Sequence, residues 1–105
     1  MSGSGGGGYI PPQRNKFDCE TSIIVTNVSS ISLIVLSKHN VGTVLDVVIG
    51  NNDEILLEDG DGEILGAILH NNTQDIIACI ENGTQYQAEI QSINTPTCEV
   101  KIKSI

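Results

Sequence analysis

From residue 85 to residue 93 the chain reads QYQAEIQSI, with apolar and polar residues changing places at nearly every step. A period of two suits a β-strand that has one face in a core and the other in water. Tyr86, Ala88 and Ile90 belong to the inner face, and Gln85, Gln87, Glu89 and Gln91 to the outer. Residues 98–105 (CEVKIKSI) repeat the pattern, with Val100 and Ile102 inward and Lys101 and Lys103 outward. Asn94, Thr95 and Pro96 between them supply a turn. The chain is therefore committed to a sheet, and the upstream residues must complete it.

They do so in short pieces. Residues 21–27 (TSIIVTN), 43–49 (TVLDVVI), 54–58 (EILLE) and 63–69 (EILGAIL) are rich in β-branched residues and bounded by turn signals at Val41-Gly42, Asn51-Asn52 and Asp59-Gly60-Asp61-Gly62. Gly66 inside the fourth piece marks a bulge or a barrel corner. Residues 29–39 suit either a buried strand or a short helix capped by Ser29 or Ser30, and the helix fits slightly better. A second helix starts at Asn72 or Thr73 and runs through Glu81, with Ile76, Ile77 and Ile80 as its buried stripe and Asp75 in its first turn. Asn82-Gly83 ends it. Aromatic residues make up only 3% of the 105 residues, so aliphatic side chains must fill the interior. The predicted core is Ile24, Val44, Val48, Leu56, Ile64, Ile68, Ile77, Ile80, Tyr86, Ile90 and Ile102.

These pieces specify a mainly β domain, β-rich α+β, over residues 17–105. It is a small OB-like or SH3-like barrel of about six strands with one or two short helices, one plugging an end. Ahead of it, residues 1–16 read as a flexible glycine-rich tail, MSGSGGGG followed by Tyr9, Ile10, Pro11 and Pro12. The YIPP step is stiff and partly apolar, which makes it a candidate docking anchor as well as a plain linker.

The formal charge of −8 disfavours phosphate backbones and anionic lipid as general partners. No apolar run is long enough to span a membrane, and no signal peptide is visible. Cys19, Cys79 and Cys98 are scattered and odd in number, which reads as three reduced core thiols in a cytoplasmic protein. The sequons at Asn27, Asn71 and Asn82 then carry no weight.

No chemistry emerges from the motifs. Asp59, Asp61 and Glu63 open like a calcium loop, but the positions that need glycine and a bidentate glutamate hold Ile64 and His70. The three cysteines with His39 and His70 match no zinc spacing. No nucleophile elbow or phosphate loop is present. The expectation is a non-enzyme without metal or cofactor. Five basic residues remain. Arg14 and Lys16 precede the first strand, Lys101 and Lys103 share a face of the last, and Lys38 stands apart. If the first and last strands are neighbours, the first four form a possible nucleic-acid patch; the alternative is ordinary solubilising charge.

From Val41 onward the chain resembles the HIRAN domain, a small barrel found in some helicases and as a stand-alone prokaryotic domain. The resemblance rests on VGTVLDVVI, NDEILLEDGDGEILGAIL and IENGTQYQAEIQSI, with Gly66-Ala67-Ile68 and Gly83-Thr84-Gln85-Tyr86-Gln87-Ala88 matching the family's glycine step and Gly-x-x-Tyr-x-Ala strand. It implies a barrel fold and, by analogy with the helicases, capture of single-stranded DNA ends by aromatic and basic residues. This chain has Ala67 where the family has its aromatic, and Ile49-Gly50-Asn51-Asn52-Asp53 in place of the usual basic residue and Asn-x-x-Asp spacing. The functional expectation is a binding or adaptor module whose partner is another protein, met through Tyr9, Ile10, Pro11 and Pro12 or through an exposed barrel edge. A binder of single-stranded DNA ends is the alternative, and an enzyme with a site assembled from scattered residues is a remote third.

Overall fold

A computed structural model describes residues 17–105. The elements are β1 (Ile24–Asn27), α1 (Leu33–Leu36), β2 (Val44–Ile49), β3 (Ile55–Glu58), β4 (Ile64–Ile68), α2 (Thr73–Glu81), β5 (Tyr86–Asn94) and β6 (Thr97–Ser104). The described strands form a six-stranded sheet in the order β1-β6-β5-β2-β3-β4, and every pairing is antiparallel. The meander β2-β3-β4 and the hairpin β5-β6 both match the sequence reading. So does the short helix within residues 29–39, but its cap is Ser32, through its hydroxyl, and not Ser29 or Ser30, because Ser29 bonds to Ala67 and Ser30 takes a positive φ of 51°. The tail residues Tyr9, Ile10, Pro11, Pro12, Arg14 and Lys16 lie outside the described residues.

The sheet curls until its two ends meet. Ser29, just past β1, exchanges two backbone hydrogen bonds with Ala67 of β4, at 2.7 and 2.8 Å. The Ser32 amide donates to the Leu65 carbonyl one step further on. Gly66 makes this approach possible. A Cβ at residue 66 would stand 2.5 Å from Val28 Cγ1 and 2.7 Å from the Ser29 carbonyl oxygen. The register shifts opposite it, between Leu57 and Glu58, which is the irregularity its glycine signalled. At the end of α2, Gly83 takes a positive φ of 103° and closes the helix as expected.

The core lies inside the curl and is almost wholly aliphatic. Leu45, Ile55, Leu57, Leu65, Ile68, Ile90, Val100 and Ile102 are fully enclosed, and Ile76 and Ile77 of α2 pack onto them. The predicted core residues Ile24, Ile68, Ile77, Tyr86, Ile90 and Ile102 are buried, and Ile80 is half-buried. Four others need correction. Val44 is exposed, Ile64 is at the exposed limit, and Val48 and Leu56 are only half-buried. On β2 and β3 the inward residues are their neighbours, Leu45, Val47, Ile55 and Leu57. Both faces of those strands carry apolar residues, so hydrophobicity alone left the phase open.

The cysteine reading also changes. Cys19 and Cys79 form a disulfide that ties the segment ahead of β1 to α2, and only Cys98 remains a free, buried thiol. The partners are 60 residues apart, so no local spacing announces them. The fold itself brings them together. The Tyr86 hydroxyl donates to the Cys19 carbonyl and the Ser104 hydroxyl to the Glu20 carbonyl, each at 2.7 Å. With that bond, the argument from three reduced thiols to a reducing compartment falls. No described helix is long and apolar enough to cross a membrane.

Candidate functional site

Charge is distributed very unevenly. All 13 acidic residues lie among the described residues, against Lys38, Lys101 and Lys103, yet no charged residue occurs between Glu20 and Lys38. That neutral stretch contains β1 and α1. It also exposes large apolar side chains: Ile23 is 58% exposed, Val25 52%, Leu33 49% and Ile34 77%.

The backbone of β1 explains why this surface is open. The Val28 amide donates to the Cys98 carbonyl, and Ile24 pairs with Ile102 and Thr26 with Val100. In an antiparallel ladder, residues of one parity direct both amide and carbonyl to the same neighbour. The even residues of β1 therefore face β6, and the odd residues face the other way. Ser29 uses its outward pair on Ala67. Val25 and Asn27 have no such neighbour among the described residues, because β4 ends at Ile68 and the chain turns into α2. The result is a short, uncharged edge strand whose outward backbone groups at Val25 and Asn27 have no partner among the described residues, with apolar side chains beside it. Edges of this kind recruit another strand unless they are blunted by charge or proline.

The predicted basic patch is half described. β1 and β6 are neighbours, as expected, and Lys101 and Lys103 sit on the outer face of β6. Lys101 stands between Val25 on β1 and Glu89 on β5, and Lys103 is opposite Gln87. Glu89 offsets Lys101 in the same cross-strand row.

The DGDGE turn is a structural unit. Its ligand-type oxygens lie within 4.8 Å of one another, but those of Asp59 and Glu63 are already engaged. Asp59 is 4% exposed, and its Oδ1 accepts the amides of Asp61 and Glu63, both at 2.9 Å. His39 Nε2 lies 3.0 Å from Asp59 Oδ2, and Lys38 pairs with Glu63. The amide of Glu63 is the main influence that holds the Asp59 carboxyl below its ordinary range; burial opposes it, and His39 and the Asp61 amide assist. Asp59 thus stitches its own turn to the residues after α1.

His70 is likewise engaged in local structure. Its Nδ1 accepts the Asn72 amide at 3.1 Å, and its own amide donates to Thr73 Oγ1, an arrangement that opens α2. Both described histidines are therefore tied to turns. A cleft of about 290 Å³ lies where Ile80, Tyr86 and Ile105 meet Asp46 and Val48 of β2. It brings together no nucleophile and histidine.

Sequence reasoning named an exposed barrel edge as a docking surface but did not locate it. The signal was present in the absence of charge from residue 21 to residue 37. Comparison of the chain with protein-family models, curated proteins and solved structures returned no match.

Proposed function

We propose that the domain is a non-catalytic protein-binding module that takes up an extended segment along β1 by strand addition. The observation that supports this is the outward ladder of Val25 and Asn27, without a partner among the described residues, in a stretch without charge. Main-chain hydrogen bonds would supply affinity, and Ile23 and Val25 would contact alternate side chains of the incoming strand. A neutral, β-branched partner fits this edge, because it adds no charge to a strongly acidic body and already favours the extended form. The sequence Tyr9-Ile10-Pro11-Pro12 is the second docking element that we assign to the same module.

Val25→Pro tests the reading cleanly. Proline removes the outward amide of Val25, which the fold does not use, and edge strands tolerate it there. Selection of random peptides displayed on phage against the immobilised domain should enrich extended, β-branched sequences. Their binding should weaken at least about tenfold in the Val25→Pro domain, the loss of roughly one good hydrogen bond. No enrichment, or binders indifferent to the substitution, would refute strand addition at β1.

A further inference from the structure

We infer that the edge of β1 pairs with β1 of a second copy of this chain. The inference rests on the strand-addition reading above and names the occupant.

Three observations carry it. The first is the self-complementarity of the edge. A two-fold axis beside Val25 sets Val25, whose amide and carbonyl face outward, against its own copy, and brings the outward groups of Asn27 opposite Ile23 of the partner, the residue just ahead of β1. An isologous contact needs one patch that matches itself, and an antiparallel strand pair meets that condition. The second is chemical. Val25, more than half exposed, would cover its own copy across the pairing line, with the exposed Ile23 on the diagonal.

The third is charge. Two bodies that each carry 13 acidic groups repel over most of their surfaces. The neutral stretch from residue 21 to residue 37 is where they can approach without setting carboxylate against carboxylate. The remaining repulsion lies off the contact and is screened by salt, so pairing should strengthen as ionic strength rises. An interface of a few residue pairs is small, and the dimer is a weak one in exchange with monomer.

The experiment is analytical ultracentrifugation of the purified chain from about 5 µM to about 1 mM, at low and high salt, paired with residue-resolved amide exchange by NMR. The expected result is a mass that rises toward the dimer with concentration and more readily at high salt. The amides of Val25 and Asn27 should slow with concentration while those of Leu33 and Ile34 do not change. Val25→Pro, and Val25→Glu as a second variant whose carboxylate faces Lys101 within the domain but its own copy across the two-fold axis, should raise the dissociation constant at least about tenfold.

A dimer that survives both substitutions, or that leaves the Val25 and Asn27 amides unchanged, overturns the proposal. A chain that stays monomeric at all concentrations overturns it too. In that case a peptide of sequence SIIVTNV decides the wider question. If the peptide protects the Val25 amide, β1 docks strands and only the second copy is wrong. If it does not, the strand-addition reading fails with it.

Discussion

Opening the Cys19–Cys79 disulfide should cost the domain much of its stability. The bond closes a loop of 60 residues that runs from the segment ahead of β1 to α2 and encloses four of the strands. The chain-entropy relation for a loop of this length gives about 4 kcal/mol of destabilisation when the cross-link is removed. Domains of this size have roughly 5–15 kcal/mol in total, so the reduced form should be marginal. Urea unfolding of the oxidised protein, of the same protein under reductant, and of Cys19→Ser and Cys79→Ser would measure the difference. Each of the three perturbations should lower the unfolding free energy by a similar amount, and reductant should add nothing to either variant. A thiol count on the untreated protein in denaturant should find one thiol per chain, from Cys98. A loss below about 1 kcal/mol on reduction, or three thiols per chain without reductant, would refute the reasoning.

Other consequences follow from the same geometry. Gly66→Ala places a Cβ against the Ser29 carbonyl oxygen and Val28, so it should destabilise the domain by about 1–3 kcal/mol; an unchanged urea midpoint would show that the β1–β4 closure is not tight. The Asp59 carboxyl is held below its ordinary range, so its contribution is present above about pH 4 and lost as pH falls through the folded value. Asp59→Asn should therefore lose less stability on acidification than the parent does; equal losses would count against the turn's role. Single-stranded DNA should bind weakly or not at all at about 150 mM salt, because Lys101 faces Glu89 in an acidic body. Tight, end-dependent binding by fluorescence anisotropy, abolished by changing Lys101 and Lys103 to Ala, would bring forward the single-strand reading instead.

The hairpin β5-β6 was legible because each polar residue sits between apolar ones, which leaves a single phase. On β2 and β3 both faces are apolar, and the phase was carried by charges alone. Asp46 lies on the outer face and takes Val44 and Val48 with it; Glu54 and Glu58 do the same for Leu56. Around Gly66 the bulge breaks the alternation, so Leu65 is enclosed where Ile64 was expected. α2 was legible from its isoleucine stripe and its Asn82-Gly83 end, whereas for α1 only the presence of a short helix was legible, since its cap is Ser32 and its buried residues are Val35 and Leu36. The disulfide was not, since nothing local links residues 60 apart. The β1 edge was hidden for a related reason. Whether a strand is central or lateral depends on where a distant strand stops, here β4 at Ile68.

The most direct test of the docking edge is residue-by-residue amide exchange on the dilute protein, where copies do not meet. Ile24, Thr26 and Val28 should be protected by β6, and Ser29 by its bond to Ala67, while Val25 and Asn27 exchange at rates near those of an open chain. Equal protection along all of β1 at low concentration would mean that another part of the chain already covers the edge, and no site for an incoming strand would remain.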